Sequence, residues 1–334
     1  MRDCTLFLAA LVLLQSCHVG FSFHISSSSP SFFSSRSDFL RTGTTSIIAT
    51  LISAPKISNA QENIAVSPVL AQLTGDAKKL FGEARVLEQQ GNIQAAQRIY
   101  NKITKIEPKY IYGWASLGNT QVALGILQPA DESYTRAIDL CLESQKEEEK
   151  FGVPRCNDAY LLYLNRGALR LNNGMKEGAL KDLETADNLR GRPDAIILQN
   201  RARAREVNGF YAQADRDYDV AISMQSNEVA PFWLRAAMVK FQLGDTLGAF
   251  DLVRRVENRF PEAPEVRAAL ATLLTFKGDQ ITANRKFLEI PDRARLKYVD
   301  EKYLNETIAW PPKMQEYLKV LTKAVGDDKR KIES

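Results

Sequence analysis

The sequence predicts an all-α fold, a solenoid of about six helical hairpins with a capping helical region after them, and three periodic features predict it. Gly91, Gly125, Gly174, Gly209, Gly244 and Gly278 are each followed five residues later by alanine, at Ala96, Ala130, Ala179, Ala214, Ala249 and Ala283. Seven residues before each glycine stands another small residue: Ala84, Gly118, Gly167, Ala202, Ala237 or Ala271. Successive glycines are 34, 49, 35, 35 and 34 residues apart. A period of that length marks a repeat that cannot bury its apolar face alone and must stack on its neighbours.

Each position has a physical reason. Small residues let two helices approach closely, so the early Ala or Gly and the later Ala mark where helix A of a hairpin meets its helix B. The glycine between them ends helix A in a left-handed conformation, and turns such as Gly91-Asn92 and Gly244-Asp245 start helix B. Nine residues after each glycine comes Tyr100, Tyr134, Leu183, Tyr218, Val253 or Phe287, and three further on Ile103, Ala137, Ala186, Ala221, Val256 or Ile290. Residues three apart share a helical face, so these pairs form the buried stripe of helix B.

The 49-residue step exceeds one repeat by about 15 residues, and an insertion at 143–157 (ESQKEEEKFGVPRCN) accounts for it. Its charge reads as a solvated loop, with helix B able to run on through Glu143, Lys146 and Lys150. Past Ile290, Leu296, Val299, Tyr303 and Leu304, then Met314, Tyr317, Leu318 and Leu321, are spaced as capping helices over 296–325, with Pro312 suited to a helix start. The charged tail 326–334 is expected to be disordered.

Trp114, Leu117, Gly118, Gly125, Ala130, Tyr134 and Ala137 resemble the tetratricopeptide repeat, and Trp233, Ala237, Gly244, Asp245, Ala249 and Pro261 repeat the theme. The resemblance covers 77–295 and implies a right-handed solenoid whose helix A faces line a groove for protein partners. Gln121, Arg170, Arg205 and Lys240 depart from it where the family usually has an aromatic, and Arg267 stands in place of the first large apolar residue of the last repeat. By that analogy the partner-binding groove contains Tyr112, Asn119, Gln199, Arg203, Met238, Phe241 and Thr272. Arg203 suits a carboxylate, and Tyr112, Met238 and Phe241 suit apolar side chains. The Trp310-Pro311-Pro312 tail is similar to those of cyanobacterial and plastid proteins of this family.

The segment before the array reads as targeting sequence. Residues 1–22 carry Arg2 and the short apolar core 6–14 of a signal peptide, and 23–60 are serine-rich with Arg36 and Arg41, like a transit peptide. This order, with Phe23 after the first cleavage site, resembles the presequences of algae with complex plastids. Residues 47–54 and Ser58-Asn59-Ala60 suggest a thylakoid-transfer segment, which favours the lumen over the stroma; a linker at 61–76 leads to the array.

Composition narrows the chemistry. Loss of residues 1–60 removes both histidines, His18 and His24, and with them imidazole catalysis and His-ligated metal. It leaves 40 of 44 basic and 38 of 40 acidic residues, a net charge of +2 that makes no case for nucleic acid. Of four cysteines, Cys141 and Cys156 remain; two unpaired thiols are expected, with a disulfide around the insertion as the alternative in an oxidising compartment. Asp215, Asp217 and Asp219 open like a calcium loop, but Val220 and Ser226 stand where glycine and glutamate are needed, so they read as a solvated face. No cofactor, metal or catalytic residue is implied. The expectation is a non-enzymatic scaffold or assembly factor for protein partners of a plastid complex, with an RNA-binding helical array or a noncatalytic transferase subunit as alternatives.

Overall fold

A computed structural model describes residues 73, 75–151 and 156–333, with side chains except at 147–151 and 327–333. The signal, transit and thylakoid-transfer readings, and nearly all of the 61–76 linker, lie outside the described residues. Among those described, every regular element is helical. They form two compact units that divide between Arg192 and Pro193.

The first unit holds three hairpins: α1 (Gly75–Gln89) with α2 (Ile93–Ile106), α3 (Ile111–Ala123) with α4 (Leu127–Phe151), and α5 (Ala159–Asn172) with α6 (Lys176–Arg190). The second holds α7 (Ala195–Val207) with α8 (Tyr211–Met224), α9 (Phe232–Leu243) with α10 (Thr246–Arg259), and α11 (Pro264–Lys277) with α12 (Gln280–Leu288). Within each unit every helix packs on the next, so hairpins stack in chain order.

The turns fall where the glycines predict. All six adopt φ between 73° and 93°, the left-handed region that ends helix A without a side-chain penalty. Asn92, Asp245 and Asp279 then cap α2, α10 and α12 by accepting from backbone N–H groups of the next turn. The small residues mark close approach as expected. A Cβ on Gly118 would stand 2.8 Å from the ring of Tyr134, and one on Gly167 2.8 Å from Leu183. The twelve helix B stripe positions, from Tyr100 to Ile290, are all buried.

The departures from the repeat pattern are filled by polar pairs. Arg170 binds Asp131 and Asp182, Arg205 binds Asp217, Lys240 binds Asp215 and Asp219, and Gln121 accepts from the Ser133 hydroxyl. Arg267 donates to the Pro261 carbonyl at 2.9 Å, six residues upstream, as the Trp114 indole donates to Pro108 at the same distance. The solvated-face reading of the aspartates is therefore corrected at Asp217, which is buried between Arg201 and Arg205.

Two further expectations change. Helix α4 runs on to Phe151, so much of the insertion is an extension of helix B instead of a loop. Cys141 and Cys156 are joined in a disulfide with Cα atoms 5.5 Å apart, where free thiols were expected. Cys141 is the last apolar member of the buried stripe of α4 and Cys156 opens the approach to α5, so tertiary packing brings together two positions 15 residues apart.

After α12 the chain forms a short helix α13 (Asp292–Arg295), a 3-10 turn (Leu296–Val299), a π turn (Tyr303–Thr307) and the long helix α14 (Pro312–Glu333). The first part of the expected cap is thus no single amphipathic helix. Leu296 and Val299 face solvent, while Tyr298, Leu304 and Ile308 are buried. Helix α14 buries Met314, Leu318 and Leu321, and it continues through the tail expected to be disordered.

Candidate functional site

The helix A faces place the expected groove residues in two sets. In the first unit, Tyr112 is half-buried and its hydroxyl donates to Asp158 at 3.2 Å. Burial pushes its phenol above the ordinary range, and the Asp158 carboxylate adds to the shift. Asn119 is buried and committed: its Oδ1 accepts from the Tyr134 hydroxyl at 2.7 Å and from Asn165 Nδ2 at 3.3 Å. Packing of α3 against α4 and α5 therefore uses the side chain that the groove reading offered to a partner. Tyr112 remains as the surface member of this set.

In the second unit the same face is covered by the chain's own C-terminal segment. Arg203 Nη2 donates to the Ile308 carbonyl at 2.8 Å and Nη1 reaches the Ala309 carbonyl at 3.5 Å. Arg235 Nη2 donates to the Ala309 carbonyl at 2.8 Å, and the Trp310 indole N–H donates to Glu265 Oε1 at 3.0 Å. Beyond it the Lys313 backbone N–H donates to Gln242 Oε1 at 2.9 Å. Phe241 and Phe276 meet Tyr317 of α14 edge to face, with ring centroids 6.0 and 5.0 Å apart.

Of the remaining expected residues, Met238 and Phe241 are buried in the core beneath this cover. Thr272 is buried and donates to the Ala268 carbonyl of its own helix. Gln199 is half-buried on α7. The structure thus brings Arg203 and Phe241 together around one bound segment.

Beneath the segment lies a charge cluster that the sequence reading missed. Glu206, with its side chain 1% exposed, pairs with Arg203 at 3.0 Å and with Arg235, and accepts from the Tyr218 hydroxyl at 3.0 Å. Arg235 also stands 3.6 Å from Glu265. Burial alone would raise the Glu206 carboxyl, but the Arg203 and Arg235 guanidiniums outweigh it and hold it below the ordinary glutamate range. A second missed pattern is a duplicated clamp. Arg166 and Arg170 hold Asp182, and Arg201 and Arg205 hold Asp217, each member 35 residues after its counterpart. That shared offset was a signal available in the sequence.

The face binds the backbone carbonyls of a turn at Ile308 and Ala309 and reads one indole. Among the described residues, no group of three or more His, Cys, Asp and Glu side chains could hold a metal. No described helix is long and apolar enough to cross a membrane.

Comparison with known proteins agrees with this architecture. Residues 80–110 match the model of the tetratricopeptide repeat. A tetratricopeptide repeat protein from Parabacteroides merdae superposes with a TM-score of 0.53 at 18% identity, over 76% of this chain and 93% of that one. The fold is that of tetratricopeptide-repeat proteins. The structure described as the APC/C hetero-tetramer Cut9-Hcn1 gives a TM-score of 0.52 at 14% identity over 73% of this chain. The present chain spans 42% of the length of that one. No curated protein matches the sequence. Each unit is accordingly a short stack of tetratricopeptide-type hairpins.

Proposed function

We propose that this chain is a non-enzymatic scaffold that holds segments of protein partners on the helix A faces of its two units, acting in the assembly of a photosynthetic complex in a plastid. The observation that carries the binding part is the segment at 308–310, held on the second unit through its backbone carbonyls and one side chain. A face that holds a stretch of its own chain in this way has the geometry to hold a foreign one. An RNA-binding reading gains nothing from this face. Arg166, Arg170, Arg201, Arg203, Arg205 and Arg235 are all engaged by carboxylates and do not form a basic face for phosphates.

The compartment rests on the targeting segment, supported by the disulfide. Cys141–Cys156 suits an oxidising space such as the thylakoid lumen better than a reducing one. Two measurements test the proposal. Sequencing of the native protein's first residue should place it near Gln61, and an intact N-terminus in the native protein would refute the plastid reading. Affinity purification from native membranes should yield a defined protein set that is lost with Tyr112→Ala in the first unit. An empty set, or RNA in its place, would refute the scaffold.

A further inference from the structure

We infer that residues 308–312 are an intramolecular occupant of a peptide site on the second unit, and that on their withdrawal the site takes a partner segment carrying tryptophan followed by proline. The inference rests on the scaffold reading and specifies the ligand of one of its faces.

Three properties of the contact support it. Arg203 and Arg235 address the backbone carbonyls of Ile308 and Ala309, groups that a turn of any sequence presents. Trp310 supplies a hydrogen bond that depends on side-chain identity, its indole N–H on Glu265. An indole N–H is a donor only, and no other ring combines that with such an apolar body, so Glu265 selects tryptophan. Pro311 follows it, buried and without an N–H that would need a partner.

The socket is also built independently of what fills it. Glu206 holds both arginines, Tyr218 holds Glu206, and Glu265 lies beside Arg235, so the donors and the acceptor stay placed when the segment leaves. A solenoid needs no buried charge on its A face, and burying several costs desolvation that only good pairing offsets. Here the pairing leaves donors and an acceptor aimed outward.

The resident segment holds a strained residue where it closes the π turn, with the Ile308 N–H on the Tyr303 carbonyl and the Trp310 N–H on the Leu304 carbonyl. Ala309 adopts φ 45°, the only non-glycine residue at positive φ among those described. A left-handed alanine carries a steric penalty that glycine does not, so a partner with Gly-Trp-Pro would bind without that strain. The cover competes because α14 tethers it at high local concentration, through Met314, Leu318 and Leu321 and the Lys313 to Gln242 hydrogen bond.

The test uses the full chain and fluorescent peptides with the sequence of residues 306–314. Trp310→Ala vacates the indole socket, and Trp310→Phe fills it without the N–H. Fluorescence anisotropy should show the peptide binding Trp310→Ala at least tenfold more tightly than wild type. A glycine version at position 309 should bind more tightly still, and a version with alanine in place of tryptophan should not bind. Hydrogen exchange is read on the same samples, with α7 to α12 expected to stay protected in both variants. Equal binding to wild type and Trp310→Ala, or indifference to the peptide's tryptophan, would overturn the inference. So would loss of protection across α7 to α12 in both variants, since the segment would then be an integral part of the core and no displaceable ligand. Partner capture that survives such a failure and still depends on Tyr112 leaves the scaffold reading standing.

Discussion

The two units are made of the same hairpin and are closed in opposite ways. In the first, Asn119 is taken up by the Tyr134 hydroxyl and Asn165, Tyr112 meets the Asp158 carboxylate, the Arg166 and Arg170 charges are met by Asp182 within the same hairpin, and a covalent link ties α4 to the approach to α5. In the second, the A face carries buried charge, and a segment about 100 residues downstream of α7 satisfies it. Polar groups satisfied among the unit's own hairpins make a surface that needs nothing more, whereas the Arg203 and Arg235 donors left over from Glu206 need an occupant. That difference is the reason to look for ligand chemistry on the second unit.

The sharpest way to break the comparison is to remove the centre of the charge cluster. Glu206→Ala leaves two guanidiniums short of their partner in a buried place and should destabilise the second unit by about 3–5 kcal/mol, with the first unchanged. Hydrogen exchange followed by mass spectrometry reads each unit separately. Equal losses in both units would show that they do not respond independently.

Reduction of Cys141–Cys156, or its replacement by two serines, should reverse the pattern. Closing a loop of this length is worth about 3 kcal/mol, and the loss should fall on α4 and α5. Urea unfolding with and without a reductant, followed at Trp114, checks it.

Smaller effects sharpen the role of close approach. Gly118→Ala drives a methyl into the fully buried ring of Tyr134 and should cost about 1–3 kcal/mol. Gly82, an exposed residue inside α1 with nothing within 4 Å of a built Cβ, should instead gain about 0.5–1 kcal/mol on change to alanine. Thermal denaturation of the pair separates crowding from helix propensity.

Acidity should divide the units by sign. Burial raises the Glu88 carboxyl in the first unit above the ordinary 4.5, with its hydrogen bond from Tyr100 opposing this in part. Its contribution therefore favours the fold below pH 4.5 and is lost as pH rises through the elevated value. Glu206 is held below 4.5, so its contribution is present above pH 4.5 and is lost as pH falls through the depressed value. Acidification below pH 4.5 should open the second unit before the first in hydrogen exchange, and the reverse order would contradict this assignment.

The hairpins were legible because their determinants are local. A glycine with a small residue seven before it and alanine five after it specifies a turn and a helix crossing within a dozen residues, and each such turn stands where the period placed it. The groove was legible only as a face. Arg203 was legible, but not that it would meet the carbonyls of Ile308 and Ala309, and nothing in the sequence singles out Glu206, Arg235 and Glu265. Phe241 was taken as a surface contact, yet α14 buries it, since nothing nearby in sequence tells an open apolar side chain from a covered one.

Sequence by itself determined the repeat, its turns and the buried stripe, because helical periodicity and backbone preference act between near neighbours. Tertiary structure alone decided which cysteines meet, which aspartate lies between two arginines and what covers the second unit's face. Those outcomes depend on groups that are far apart along the chain, and only the folded backbone sets the distance between them.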